Sequence, residues 1–343
     1  MQVKEQAMPL ERKRAPRALS LLSGGLDSQL AVCVLRDAGV EVEGVTFETP
    51  FFNADAARRA AAALGVKHHV VDFTLDEISL LKNPPHGFGG AMNPCIDCHA
   101  LMIKRAGELM ERLGFDFVAT GEVLNQRPMS QNRRSLDTVA KDCGLEGRLV
   151  RPLSAGLLEP TLPETEGLLD RSKLLSISGR CRKEQLALAA KYSLHDYPSP
   201  AGGCKLTEKG YGNRLRDLME HEGLDDLRMV RLLQTGRRFR LAGGSGLVLG
   251  RDEKENAVLM EIASQAGFSF EAAGVSGPVG FIYGKDASES DMRTASEIVV
   301  AWGRGGVGSD SVNVEIRKCG HASGNMEISC PLDRNLYESL RIL

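Results

Sequence analysis

Six consecutive residues near the start of the chain, 23–28 (SGGLDS), have the composition of a phosphate-binding loop. Gly24 and Gly25 allow the backbone to turn tightly and to bring its N–H groups against an anion. A short apolar run precedes the loop, and a helical pattern follows it, so the positive end of a helix dipole is expected at the same place. Ser23 and Ser28 add hydroxyl donors, and Asp27 is suited to hold or orient Mg²⁺.

The loop is not a Walker loop, because it lacks the lysine of G-x-x-x-x-G-K-[ST] that serves γ-phosphoryl transfer. Instead, it resembles the PP-loop of the ATP pyrophosphatase superfamily. That resemblance implies that the loop holds the β- and γ-phosphates of ATP as a leaving group while the α-phosphate is attacked, giving an adenylate and pyrophosphate. It also implies adenine contacts at Thr46 and Phe47. Gly121 follows a predicted strand, at the edge where open α/β sheets bind ligands. Each glycine motif is also compatible with an ordinary turn.

Three cysteines form a second group of reactive side chains. Cys95 and Cys98 lie in N-P-C-x-x-C ahead of a helical pattern, and Cys204 lies in a glycine-flanked loop far downstream. The helix dipole at a C-x-x-C favours thiolate forms. With the PP-loop, these motifs resemble the tRNA thiouridylases of both the 2-thiouridine and 4-thiouridine types. The segments EVLNQRPMSQ, GRRFRL and GRDEKEN resemble a compact branch of that group, without the THUMP region or a rhodanese domain.

The cysteines allow three kinds of chemistry. Our first expectation is that Cys95, Cys98 and Cys204 ligate a [4Fe–4S] cluster with one iron open to hydrosulfide. The second is a persulfide on Cys204, with Cys95 or Cys98 as the resolving thiol. The third is structural zinc, which lacks an evident fourth ligand. A disulfide framework is not expected in a large chain without a secretory signal.

The elements that position these residues alternate between strand and helix. Apolar runs at 18–22, 42–47, 68–73 and 117–120 read as strands, with a possible fifth at 148–152. Helical patterns follow at 28–37, 54–64 and 98–113, and glycine ends the last two. The fold class predicted from this alternation is α/β, with an open, doubly wound parallel sheet.

The rest of the chain divides by composition. We expect a basic N-terminal arm at 1–17, the PP-loop domain at 18–155, a helical basic region at 156–265 and a small α+β accessory domain at 272–343. Between 171 and 240 there are 15 lysines and arginines against 8 acidic residues, an excess of seven that suits a polyanion. The expected RNA-binding residues are Arg180, Arg182, Lys183, Arg237 and Arg238. A solvated helix surface is the alternative interpretation of this charge.

Bulk composition excludes several classes. The net charge of −2 excludes a molecule that is basic throughout. No apolar run is long enough to span a bilayer, and the first residues carry no apolar signal segment, so a cytoplasmic protein is expected. The sequence does not fix the oligomeric state, although a homodimer is compatible with it.

The predicted function is an ATP-dependent tRNA sulfurtransferase. A uridine carbonyl oxygen would be adenylated, and sulfur from hydrosulfide or a cysteine desulfurase relay would then replace it at Cys95, Cys98 or Cys204. Two alternatives remain. A PP-loop ligase or amidotransferase partner would adenylate a small molecule, and a non-catalytic nucleotide- or metal-binding module would bind ATP without releasing pyrophosphate.

Overall fold

The computed structural model describes residues 14–145, 147–199, 203–283, 286–303 and 310–343. The chain divides into two compact units. The first comprises Met1–Gly89 and Pro94–Cys204, and the second comprises Gly90–Asn93 and Lys205–Leu343. Of the expected basic arm, residues 1–13 lie outside the described residues, and the side chain of Arg14 pairs with Asp116 at 2.8 Å.

The first unit contains a five-stranded parallel sheet of order β3-β2-β1-β4-β5. The strands are β1 (Arg17–Leu21), β2 (Glu41–Glu48), β3 (His68–Asp72), β4 (Phe117–Ala119) and β5 (Leu149–Val150). All five coincide with predicted strands apart from their ends. The open, doubly wound sheet expected from the sequence is therefore confirmed, and its topological switch point lies between β1 and β4, where the strand order reverses.

Helices cover both faces of this sheet. They are α1 (Leu26–Asp37), α2 (Asp55–Leu64), α3 (Thr74–Lys82), α4 (Cys95–Leu113), α5 (Arg133–Asp142), α6 (Leu162–Thr165) and α7 (Lys183–Lys191). Side chains alternate along β1, so Ala18 enters one apolar cluster together with α1, α2 and α7, and Leu19 enters the other together with α4 and α5. Two of the expected helices begin earlier than predicted. Helix α1 begins at Leu26 and α4 at Cys95, which brings both motif cysteines into the first turn or two of α4.

The second unit is a six-stranded antiparallel sheet with helices. Its strands are β6 (Arg237–Arg240), β7 (Gly246–Leu249), β8 (Phe268–Ala272), β9 (Gly280–Tyr283), β10 (Ser311–Lys318) and β11 (His321–Ser329). They are ordered β11-β10-β8-β9-β7-β6. Its helices are α8 (Lys209–His221), α9 (Leu227–Arg231), α10 (Glu253–Ala263) and α11 (Glu289–Trp302). Ala295, Ile298 and Val299 of α11 pack into the apolar cluster of this sheet.

The division into units differs from the boundaries expected from composition. The hairpin of β6 and β7 falls in the expected region 156–265, yet β7 pairs with β9 through Leu247 and Ile282. The hairpin therefore buries its apolar residues in the same sheet as the last block of the chain. The expected basic region is split after Cys204, with α7 in the first unit and α8 and α9 in the second.

Among the described residues, no helix is both long enough and apolar enough to cross a membrane.

Candidate functional site

The PP-loop, residues 23–28, lies at the carboxyl end of β1 and leads into the N-terminus of α1. Gly24 has φ +79°, and a Cβ at this position would lie 2.4 Å from the carbonyl carbon of Ala56, so only glycine fits. Gly25 is the N-cap of α1 and makes no side-chain capping bond. The first N–H groups of α1 are therefore not capped by a side chain, which suits them to bind an anion.

The two serines of the loop stabilise its turn. The N–H of Gly25 donates to Ser23 Oγ at 3.3 Å, and Ser28 Oγ donates to the carbonyl of Gly25 at 2.8 Å. The two hydroxyl oxygens lie 3.3 Å apart. The loop is thus ordered by its own side chains before any ligand binds.

The segment after β4 packs against the start of α1 at the topological switch point. A Cβ on Gly121 would lie 2.6 Å from both the carbonyl carbon of Asp27 and the nitrogen of Ser28. Glycine at position 121 therefore allows the backbone after β4 to approach the backbone of Asp27 and Ser28 closely. Gly121 thus lies next to the PP-loop. Gln126, five residues further on, donates from Nε2 to Asp27 Oδ2 at 2.6 Å.

Asp27 is held in a network that leaves polar atoms without partners. Gln185 on α7 donates to Gln126 Oε1 at 3.0 Å, and Arg182 Nη2 lies 3.9 Å from Asp27 Oδ1. Asp27 Oδ1, Arg182 Nε and Gln185 Oε1 are buried and make no hydrogen bond. A buried polar atom without a hydrogen-bond partner destabilises the folded protein. An acceptor bound near Arg182, and a cation or donor bound near Asp27, would each remove such a destabilising term.

The expected adenine contacts lie on β2. Thr46 is 7% exposed, its hydroxyl donates to the carbonyl of Leu22, and its Oγ1 lies 2.7 Å from His68 Nε2. Burial and the positive charge of Arg58 lower the pKa of His68. Phe47 is 4% exposed and packs on Phe73, with ring centroids 5.2 Å apart. Both side chains are buried in the protein interior, and their contact with adenine stays a prediction.

Cys98 contacts a buried acid that the sequence motifs do not include. Its sulfhydryl donates to Glu77 Oε2 on α3 at 3.1 Å, and Glu77 is fully buried with Oε1 lacking a partner. Burial raises the pKa of Glu77 to about 7. Burial and the Glu77 carboxylate raise the pKa of Cys98 well above its ordinary value. Both effects favour the protonated form of Cys98, whereas the helix dipole alone favours a thiolate.

The other two motif cysteines belong to the same unit. Electrostatic interactions with Cys204 and with Cys95 both contribute to the raised pKa of Cys98, so each of these two thiols lies within electrostatic range of Cys98. No disulfide joins the cysteines. Across the described ranges, no group of three His, Cys, Asp or Glu side chains is arranged to hold a metal ion. Ligation of a cluster by Cys95, Cys98 and Cys204 stays a prediction.

A buried ion network lies next to Cys98 in sequence. His99 Nδ1 lies 3.1 Å from Glu122 Oε1, and Arg151 Nε donates to Glu122 Oε2 at 2.8 Å. Burial opposes the ionisation of Glu122, but the charge of Arg151 and the hydrogen bond and charge of His99 outweigh it. They hold the pKa of Glu122 well below its ordinary value. The carboxylate thereby fixes the orientation of the His99 ring.

The five residues expected to bind RNA fall into different environments. Arg180 and Lys183 are exposed, whereas Arg182 is half-buried beside Asp27. Arg237 is half-buried on β6. Arg238 is 1% exposed and donates to the Tyr283 hydroxyl at 2.9 Å, so its burial corrects the expectation that it contacts a phosphate.

Sequence reasoning missed Glu77, Gln126 and Gln185. A signal for Glu77 was present, because residues 74, 77, 78 and 81 form one buried helical face of α3. A carboxylate within such an apolar face indicates a specific partner. Gln126 lay in a segment already singled out for its resemblance, but nothing in the sequence linked it to Asp27.

Two sequence families match the chain. The family described as the thiamine biosynthesis protein (ThiI) matches residues 14–155. The NFACT protein RNA binding domain matches residues 236–336. The second match covers the β6–β7 hairpin and most of the expected accessory domain at 272–343.

Known relatives share parts of the chain. The tRNA-specific 2-thiouridylase MnmA 3 of Bacteroides fragilis is 33% identical over 109 residues, covering 31% of this chain and 30% of that protein. The tRNA-specific 2-thiouridylase MnmA 1 of Syntrophus aciditrophicus is 26% identical over 227 residues, covering 60% and 56%. The chain thus spans between 30% and 56% of the length of these two relatives.

A solved 4-thiouridine synthetase–RNA complex with bound ATP is similar at 20% identity and a TM-score of 0.35, covering 52% of each chain.

Proposed function

We propose that the chain is an ATP-dependent tRNA sulfurtransferase. The proposal starts from the match of residues 14–155 to the ThiI family and from the similarity of parts of the chain to two tRNA-specific 2-thiouridylases. The observation that carries the proposal is the arrangement at the switch point. The N–H groups at the start of α1 have no side-chain cap, and Arg182 Nε and Asp27 Oδ1 make no hydrogen bond. Phosphate oxygens would suit the N–H groups and Arg182, and the accompanying Mg²⁺ would suit Asp27. The match of residues 236–336 to an RNA-binding domain supports RNA as the substrate class.

The activation step uses the PP-loop. Backbone N–H groups of the loop and the start of α1 bind the β- and γ-phosphates, and Arg182 contacts a phosphate oxygen. The uridine carbonyl oxygen then attacks the α-phosphorus, a new O–P bond forms, and pyrophosphate leaves. Asp27 would hold Mg²⁺, which neutralises charge on the phosphates when it is bound. The orphaned Asp27 Oδ1 fits this role.

The sulfur step is assigned to the cysteines, and the Cys98–Glu77 contact favours thiol exchange over a cluster. The Cys204 thiolate attacks the outer sulfur of a donor persulfide, as a cysteine desulfurase relay supplies, and the donor thiol leaves. The terminal sulfur of the Cys204 persulfide then attacks the activated carbon and displaces AMP. Glu77 takes the proton of Cys98, and the Cys98 thiolate attacks Cys204 Sγ. A Cys98–Cys204 disulfide forms, the thiocarbonyl base is released, and an external dithiol reduces the disulfide.

Pyrophosphate release tests the activation step. Purified protein with ATP and Mg²⁺ is assayed alone, with tRNA, and with tRNA, a persulfide donor and a dithiol reductant. Release that depends on tRNA, followed by a thiolated nucleoside in the digested RNA, is the expected result. Release without any RNA would support the small-molecule ligase. Nucleotide binding without release under any condition would support the non-catalytic module.

Iron analysis and cysteine variants test the sulfur step. Protein purified without oxygen is analysed for iron and acid-labile sulfide, and its visible spectrum is recorded. Thiol exchange predicts colourless protein, and it predicts that Cys98→Ala and Cys204→Ala lose thiolation while tRNA-dependent pyrophosphate release continues. Stoichiometric iron and sulfide would contradict thiol exchange and restore the cluster. Cys181→Ala, at an exposed cysteine outside the motifs, is the matched control.

A further inference from the structure

Four arginines from three separate segments surround β6 in the second unit. They are Arg237 on β6, Arg251 after β7, and Arg334 and Arg341 in the last segment, and we call them the arginine cluster. A bridge between Phe239 and Arg341 and a bond from Ile342 N to Arg238 O at 2.9 Å hold the last segment against β6. Burial, and then the positive charges of Arg341, Arg251 and Arg334, lower the pKa of Arg237.

Two of these guanidinium groups are held by backbone carbonyl groups. Arg237 Nη1 lies 3.5 Å from the carbonyl of Gly250, and Arg334 Nε donates to the carbonyl of Ala301 at 2.7 Å. Arg251 pairs with Glu255, and Arg341 pairs with Glu338 at 3.2 Å. Within the described residues, the carboxylates of Glu255 and Glu338 are the ion-pair partners found for the four arginines. The cluster therefore keeps an excess of positive charge.

This charge is local, because it does not follow from the composition of the surrounding block. Residues 272–343 contain 7 basic and 9 acidic side chains, so the block as a whole has no attraction for polyanions. The fold concentrates cations from distant positions at one edge of the sheet. Like charges held together cost stability, and a bound anion would remove that cost.

The only tryptophan of the chain lies next to the cluster. The guanidinium carbon of Arg334 lies 5.7 Å from the ring centroid of Trp302, and Trp302 packs on Phe239 with centroids 5.4 Å apart. Trp302 is half-buried. Its fluorescence therefore reports on changes at Arg334 without any label.

We propose that the arginine cluster binds the phosphate backbone of the RNA substrate, an inference that rests on the proposed tRNA thiolation. Guanidinium groups match phosphate oxygens in geometry, and cations contributed by three segments suit an extended polyanion better than a single small anion. The match to an RNA-binding domain includes Arg237, Arg251 and Arg334. In this proposal the arginine cluster, rather than the buried Arg238, is the RNA-contacting surface of this unit.

The test compares two triple variants of the full chain with equal net charge. The cluster variant carries Arg251→Gln, Arg334→Gln and Arg341→Gln. The control variant carries Arg216→Gln, Arg228→Gln and Arg293→Gln, at exposed positions of the same unit. Thermal unfolding checks that both fold. Binding of labelled tRNA is measured between about 50 and 300 mM KCl, with Trp302 fluorescence as a second readout.

We expect the cluster variant to bind tRNA about 100-fold more weakly at about 150 mM salt, with a salt slope lower by about two to three. We expect the control to bind like the wild-type protein, and tRNA to change Trp302 emission in wild type and control only. Equal affinity in the cluster variant, or an equal loss in the control, overturns the proposal. If the wild-type protein binds tRNA through the cluster but shows no tRNA-dependent pyrophosphate release, the proposed function is overturned. The proposal that the cluster binds RNA is then still supported.

Discussion

The Cys98 sulfhydryl donates a hydrogen bond to the Glu77 carboxylate at 3.1 Å, and both side chains are buried. Burial raises the pKa of Glu77 to about 7, so both the acid and the carboxylate are populated near neutral pH. Glu77 is thus able to accept a proton from Cys98 near neutral pH without an ion being exposed to water. This pair is the structural reason for assigning Cys98 an exchange step.

Glu77→Gln should change two readouts in opposite directions. Removing the negative charge should lower the pKa of Cys98, and alkylation of Cys98 near pH 8.5 should become about tenfold faster for each pKa unit lost. Thiolation should fall by about 10²-fold because the proton acceptor is missing. Mass spectrometry measures alkylation, with exposed Cys181 as the internal reference. A parallel loss of both readouts would indicate a purely structural role.

Asp27→Asn should reduce tRNA-dependent pyrophosphate release by about 10²-fold or more, because the carboxylate proposed to hold Mg²⁺ is lost. The hydrogen bond from Gln126 to Asp27 Oδ2 can be kept by the amide oxygen, so the fold should survive. Asp37→Asn is the matched control at the other end of α1, where the carboxylate pairs with Lys191 on the surface. Unchanged release in Asp27→Asn would remove the PP-loop assignment.

The parallel sheet was predictable because each of its strands is an apolar run followed by a helical pattern. Strand positions from β1 to β5 follow from local sequence. The order β3-β2-β1-β4-β5 does not, because doubly wound sheets occur in more than one strand order. The antiparallel sheet was not predictable in the same way. Two of its pairings, β7 with β9 and β8 with β10, join strands that a helix separates in the chain, and a hairpin does not specify a distant partner.

The candidate site was predictable where a motif carries its own geometry. Residues 23–28 form the expected turn because two glycines and a helix start are enough to specify it. Charge alone did not specify location. Arg182 and Arg238 come from the same basic region, yet one lies beside Asp27 and the other is buried on β6. Tertiary packing decides such cases, and one sequence does not contain that information.

Gly121→Ala should destabilise the PP-loop without affecting the second unit. The added methyl group would lie 2.6 Å from the backbone of Asp27, so either α1 or the segment after β4 must move. We expect a loss of about 1–3 kcal/mol in the free energy of unfolding and weaker ATP binding. Gly324→Ala is the control, because nothing lies within 4 Å of its Cβ position. Equal stability and ATP affinity in Gly121→Ala would contradict the close packing.

Glu122 should make the first unit sensitive to acid. Its pKa is held below the ordinary value, so the carboxylate contributes stability at pH values above about 4.5. That contribution is lost as the pH falls from there toward the folded-state pKa. Glu122→Gln should cost about 3–5 kcal/mol at neutral pH, since Arg151 is 6% exposed and would keep a buried charge without its partner.

The same substitution should flatten the dependence of unfolding free energy on pH between about 3 and 6, because the titrating group is gone. Urea unfolding at a series of pH values measures both effects. Glu111→Gln is the matched control, since its carboxylate pairs with Arg148 at 2.8 Å but is 64% exposed. The cost there should stay below about 1 kcal/mol, because solvent screens surface pairs. If Glu122→Gln and Glu111→Gln cost the same, the buried network around His99 does not stabilise the fold.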